Sequence, residues 1–211
     1  MKQIELISFD AEGTLVTPDF SQAIWHEAIP ALYAQKNNLE LARAKEIVAG
    51  EYARVGDQRL EWYDIGYWFD YFQLGSPQPA IKSCVARVSY YPEVREVLSS
   101  LEGRYKLVVS SSTPLELLEP QLESIKNYFA GIFSSISLCK ELKTPRFYAY
   151  VCELMAVSPD RIVHVGDSWQ FDYLSSRQAG INVFHLDRKR GGGESLTSLL
   201  ELETRLLNYD G

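Results

Sequence analysis

Short apolar runs alternate with stretches of helical period through the second half of the chain. Residues 106–110, 131–136, 162–165 and 182–186 are too short for buried helices and rich in β-branched and aromatic side chains, so each reads as a buried strand. Ile7-Ser8-Phe9 adds one more near the start, ending on Asp10. Pro92, Pro114 and Pro145 suit first helical turns and predict helices ending near 101, 125 and 155. A further helix is expected from about 171 to Gly180, and an amphipathic one over 195–207 with Leu196, Leu199, Leu200 and Leu206 inward. Strands alternating with helices predict right-handed crossovers and an α/β fold, a parallel sheet with helices on both faces.

Residues 20–87 break that rhythm. Ile24, Ala28, Ala31, Leu32 and then Leu41, Ala44, Ile47, Val48 recur at helical spacing, and an aromatic-rich segment runs from Trp62 to Phe72. Three or four helices without a strand are expected there. The domain expectation is a sheet core over 1–18 and 88–211, with a helical module over 19–87 inserted after the first strand.

Composition narrows the function without naming it. The 211 residues are 46% apolar, enough for a real core. A net charge of −7 argues against non-specific nucleic-acid binding. The one dense basic cluster, Arg188-Lys189-Arg190, reads as a loop or oligomer contact, and Gly191-Gly192-Gly193 as a flexible loop. Cys84, Cys139 and Cys152 show no Cys-x-x-Cys spacing, which fits reduced, inert thiols in a cytoplasmic protein. Neither a signal peptide nor a membrane span is expected, since the longest uncharged apolar-rich run is short.

The predicted strand ends carry polar groups: Asp10 with Glu12, Ser110 with Ser111, Lys143 past the third strand, and Asp167 with Asp172. In a parallel sheet these ends converge on one crevice. Adjacent carboxylates repel, so a hard divalent cation such as Mg2+ is the natural counter-ion. A hydroxyl and a lysine beside them suit phosphate oxygens. One carboxylate can then act as nucleophile and the other as acid/base.

These residues resemble the haloacid dehalogenase superfamily. Asp10-Ala11-Glu12-Gly13-Thr14-Leu15 is similar to its first motif, Asp-x-Asp-Gly-Thr, and Ser110 or Ser111 to its second-motif hydroxyl. Lys143-Thr144-Pro145 is similar to the third motif, with Lys140 a rival, and Gly166-Asp167-Ser168-Trp169-Gln170-Phe171-Asp172 to the fourth. The resemblance implies a Rossmann-like core with a helical cap between motifs one and two. It implies Asp10 as the nucleophile that forms an aspartyl-phosphate. Mg2+ is then expected on Asp10, the backbone carbonyl of Glu12, Asp167 and Asp172. The Ser and Lys143 are expected to bind the phosphoryl group, and Glu12 to be the acid/base. The expected substrate is a small phosphate monoester, the expected state a monomer or homodimer.

Glu12 departs from the family's usual Asp. Its reference pKa is similar (about 4.3 against about 3.9), so reach is the issue. One extra methylene displaces the carboxylate by roughly 1 Å, a misplacement that can cost on the order of a hundredfold in rate. Dehalogenases of the family commonly place an aromatic there, so a phosphatase is favoured over a dehalogenase, a phosphotransferase or a non-turning-over phosphate binder. His164 and His185 read as strand residues with satisfied rings and His26 as helix surface. The aromatic segment reads as helix packing, and Trp169 as packing at the seam between cap and core.

Overall fold

The computed structural model describes residues 3–189 and 195–207. The Gly191-Gly192-Gly193 loop and Arg190 lie outside the described residues. Among the described residues five strands form one sheet: β1 (Leu6–Phe9), β2 (Lys106–Ser111), β3 (Gly131–Ser134), β4 (Ile162–Gly166) and β5 (Asn182–His185). All pair in parallel, in the order β3-β2-β1-β4-β5. The chain builds outward from β1 to one side and then returns to build the other. Order therefore reverses beside β1, which is where open α/β sheets hold ligands, at the strands' carboxyl ends.

The register gives the sheet two unlike faces. Ile7 and Phe9 on β1 share a row with Leu107 and Val109 on β2 and Val163 and Val165 on β4. All six are buried in one apolar layer with Val94, Leu98 and Leu101 of the helix Val94–Leu101 and with Leu118 and Leu122 of the helix Leu115–Leu122. The opposite row holds Leu6, Val108 and Ile162, packed on Phe147, Tyr148 and Val151 of the helix Pro145–Met155. Ser8, Ser110 and His164 lie on that second face and are fully buried.

The chain divides into two compact units: 1–17 with 90–211, and 18–89. The second is helical throughout, with Ile29–Asn37, Leu41–Val55, Ile65–Tyr71 and Gln78–Cys84 as its main α-helices. The aromatic segment packs its interior. Trp68, Phe69 and Phe72 are buried, and Tyr52 meets Trp68 edge-on at 4.6 Å between ring centres. Among the described residues, no helix is long and apolar enough to cross a membrane.

Several expectations need correction. The third strand stops at Ser134, whose hydroxyl accepts from the Ser137 amide and so caps a short helix, Ser135–Cys139. Pro92 precedes the helix Val94–Leu101 instead of opening it. The last helix begins only at Leu202, after a 3-10 turn over Leu199–Glu201. Leu196 pairs with Leu186 in a short parallel bridge, and Leu200 is 54% exposed. The helix after Asp167 starts earlier than expected, with a π-helical turn over Trp169–Leu174.

Candidate active site

The first turn after β1 is tightly wound. The amides of Thr14, Leu15 and Val16 all point at the Ala11 carbonyl, and the Gly13 amide donates to the Val16 carbonyl. Gly13 has φ of +83°, and a Cβ there would collide with the Asp167 carboxylate. Glycine is thus required twice over, by backbone and by space. Gly166 is similarly constrained, since a Cβ would collide with the Asp172 carboxyl group.

Four of the expected residues come together at the reversal point. The Lys143 ammonium lies 2.6 Å from Asp10 Oδ1 and 2.5 Å from Asp172 Oδ1. Asp10, Lys143 and Asp172 are buried. Carboxylate oxygens of Asp10, Asp167 and Asp172 all lie within 4.8 Å of one another. Lys140 is exposed, which leaves Lys143 as the lysine of the cluster. Glu12 is half-buried on the turn after Asp10.

One ammonium does not balance three carboxylates. Burial pushes Asp10 up to about 8; Lys143 opposes the rise, while Asp172 and Asp167 add to it. Asp167 is also raised, by the protein atoms crowding its carboxylate and by Asp172. Burial would raise Asp172 too, but Lys143 and His164 outweigh it and hold this carboxyl below the usual range. Burial would lower Lys143, but Asp10 and Asp172 outweigh it and keep the ammonium charged.

Asp172 is held from behind by groups on the polar face. Its Oδ1 lies 3.0 Å from His164 Nε2 and 3.3 Å from the Tyr148 hydroxyl, and its Oδ2 accepts from the Ser168 amide at 2.9 Å. His164 Nδ1 lies 2.9 Å from Ser8 Oγ, and Ser8 Oγ donates to Ser110 Oγ at 2.9 Å. The expectation of a satisfied ring for His164 misses this reach. The ring connects the sheet interior to the carboxylate that holds Lys143.

The two candidate hydroxyls separate. Ser110 is engaged in the interior network. Ser111 accepts from the Thr113 amide at 3.2 Å and donates to its hydroxyl at 3.3 Å, at the mouth of the following loop. Beside it the Ser112 hydroxyl is buried without a partner among the described residues, as is that of Thr14. Such orphans cost free energy unless something accepts from them.

Trp169 stacks on Tyr173 at 4.2 Å between ring centres. One reading changes. Arg188 is no loose loop cation: it is half-buried and hydrogen-bonds to the Asp10–Val16 turn. Its partners are mostly backbone carbonyls, and no side-chain pattern in the sequence signals them. His185 bonds to the Asp167 carbonyl and to Ser195.

A doubly wound parallel sheet with buried carboxylates and a lysine at its reversal point defines an α/β enzyme site. The family profile described as haloacid dehalogenase-like hydrolase matches residues 4–180. The chain belongs to this family of hydrolases. It is 24% identical over 204 residues to a phosphoglycolate phosphatase of Pasteurella multocida, covering 88% of this chain and 87% of that protein. It is 29% identical over 136 residues to the haloacid dehalogenase-like hydrolase domain-containing protein 3 of Danio rerio. That match covers 56% of this chain and about half, 54%, of the relative. A HAD phosphatase from Thermococcus onnurineus shares the fold with a TM-score of 0.82 at 23% identity, over 96% of this chain and 98% of the other.

Proposed function

We propose that this hydrolase is a magnesium-dependent phosphatase of small phosphate monoesters, with Asp10 as its nucleophile. The observation that carries the reading is Asp10 itself. It is a buried carboxylate at the end of β1, paired with Lys143 yet still pushed up to about 8 by burial and two neighbouring carboxylates. Such a cluster is short of positive charge, and its oxygen-only donors fit a hard cation. Asp10, Asp167, Asp172 and the backbone carbonyl of Glu12 would hold it. When bound, magnesium supplies charge neutralisation for the carboxylates and for phosphoryl oxygens.

The remaining chemistry belongs to the chain. An Asp10 oxygen attacks phosphorus as the bond to the leaving oxygen breaks, giving an aspartyl-phosphate. Glu12 donates its proton to the leaving oxygen. It then takes a proton from a water that attacks phosphorus, releasing phosphate and restoring Asp10. Lys143 stabilises the phosphoryl oxygens, and we assign the hydroxyl contact to Ser111, since Ser110 is engaged in the sheet interior. The orphan Ser112 hydroxyl supports an acceptor at that strand end. The helical unit over 18–89 takes the role of the cap that selects the substrate.

Hydrolysis of p-nitrophenyl phosphate tests the reading. Turnover is expected with magnesium, to fall to background with chelator, and to be lost in Asp10→Asn. Equal rates for wild type and Asp10→Asn on a broad phosphate panel would overturn it.

A further inference from the structure

We infer that Arg188 is a positioning residue for the acid/base, acting as a clamp on the turn that carries Glu12. The guanidinium engages through all three of its nitrogens, two of them on that turn. Nε donates to the Gly13 carbonyl at 3.1 Å and Nη2 to the Thr14 carbonyl at 2.8 Å. Nη1 pairs with Glu93 Oε1 at 2.7 Å. The cation lies 3.6 Å from the centre of the Tyr91 ring. Arg188 and Glu93 side chains are only 16% and 10% exposed. Burial alone would raise Glu93, but the hydrogen bond and charge of Arg188, with backbone hydrogen bonds to the carboxylate, together outweigh it and hold this carboxyl below its usual value, so the pair is charged.

The turn needs such an anchor. Three of its amides share the single Ala11 carbonyl, and the carbonyls of Gly13 and Thr14 point at the guanidinium. Arg188 supplies donors to both. The Leu15 carbonyl accepts from the Tyr91 amide, and Val16 bridges Tyr90, so Tyr91 braces the turn from the side while its ring supports the guanidinium. Arg188 lies shortly after β5, next to Asp187, whose amide donates to the Leu196 carbonyl at 2.8 Å. The planar fork matters here. A lysine ammonium keeps the charge but cannot span two carbonyls and a carboxylate in this geometry.

The consequence concerns Glu12. One methylene more than Asp gives this acid more ways to miss the leaving oxygen, and a rigid turn at least fixes the Cα–Cβ direction from which Glu12 reaches. General acid catalysis is worth roughly 10²–10⁴-fold. It matters most when the leaving group is a poor one, such as an alkoxide, and least for p-nitrophenolate. A clamp on the acid therefore has a leaving-group signature that a purely structural residue lacks.

The part of this inference that concerns catalysis rests on the phosphatase reading; the clamp itself does not. Arg188→Lys is the variant of choice, since it keeps the charge and the aliphatic stem, with Arg188→Leu beside it. Two measurements are made on the full-length protein. First, amide hydrogen exchange at 13–16 is expected to speed up by about tenfold or more in Arg188→Lys, while exchange in the middle of β2 stays as in wild type. Second, the rate on an alkyl phosphate is expected to fall about tenfold further than the rate on p-nitrophenyl phosphate. Unchanged exchange over 13–16 overturns the clamp. Faster exchange with equal loss on both esters overturns its role in positioning Glu12. If wild type hydrolyses neither ester, the phosphatase reading fails and takes the catalytic half of the inference with it, while exchange still decides the clamp.

Discussion

The two faces of the one sheet are built on opposite principles. On one, Ile7, Phe9, Val109, Val163 and Val165 form a layer of hydrocarbon against the helices Val94–Leu101 and Leu115–Leu122. On the other, Ser8, Ser110 and His164 interrupt the apolar rows and run hydrogen bonds across three strands to Asp172. Apolar burial alone stabilises the first face, at roughly 25 cal/mol per Å². The second gives up part of that stabilisation, because a buried polar group carries a desolvation cost that its hydrogen bonds exceed only modestly, by about 0.5–1.5 kcal/mol each. What it gains is a fixed carboxylate behind Lys143. Stability and geometry of the site are thus drawn from different sides of β1.

The sharpest way to break this division is Lys143→Ala. It strands Asp10 and Asp172, and removing one partner of a buried ion pair costs about 3–5 kcal/mol. Phosphate-ester turnover is expected to drop on the order of 10²–10³-fold, read from kcat beside urea unfolding. His164→Leu comes next. It deprives Asp172, Ser8 and Tyr148 of a shared partner, with an expected loss of about 1–3 kcal/mol and a fall in kcat of roughly 10–100-fold. Val109→Ala on the apolar face is the contrasting variant. It should cost about 2 kcal/mol from the lost methyl groups while kcat stays within about twofold of wild type. If both variants change kcat alike at equal destabilisation, the division of labour between the faces is wrong. The smallest effect separates the serines. Ser110→Ala should follow His164→Leu in direction, with about 1 kcal/mol of stability lost and KM unchanged. Ser111→Ala should instead raise KM for the ester. Steady-state kinetics on the pair would expose a reversed assignment.

How far the sequence foretells this follows from what kind of partner each residue has. Strands and their order of appearance are legible because short β-branched runs bounded by turns have few other uses. Asp10, Asp167 and Asp172 are legible because polar groups at or just past successive strand ends of a parallel sheet converge, and Lys143, which lies beyond β3 and the helix Ser135–Cys139, is legible from its Lys-Thr-Pro motif. The helix Ser135–Cys139 escapes notice because Ser135 and Ile136 continue an apolar run, and only the Ser134 cap breaks it. His164 is legible as a buried ring, but reach to Asp172 depends on register, since Ser8 and His164 must sit opposite each other. Arg188 is invisible for a plainer reason. Its cluster with Lys189 and Arg190 looks like a solvated loop, and among the described residues two of its three hydrogen-bond partners are carbonyls, which every residue has.

The central claim is that Asp10 is a nucleophile and not merely a ligand. The direct test is acid quench of the enzyme during turnover of a ³²P-labelled phosphoryl donor with magnesium, followed by peptide mapping. The account predicts acid-stable label on the peptide that contains Asp10, released by hydroxylamine as an acyl phosphate must be, and absent in Asp10→Asn. Rapid release of labelled phosphate with no label on that peptide at any quench time would contradict it.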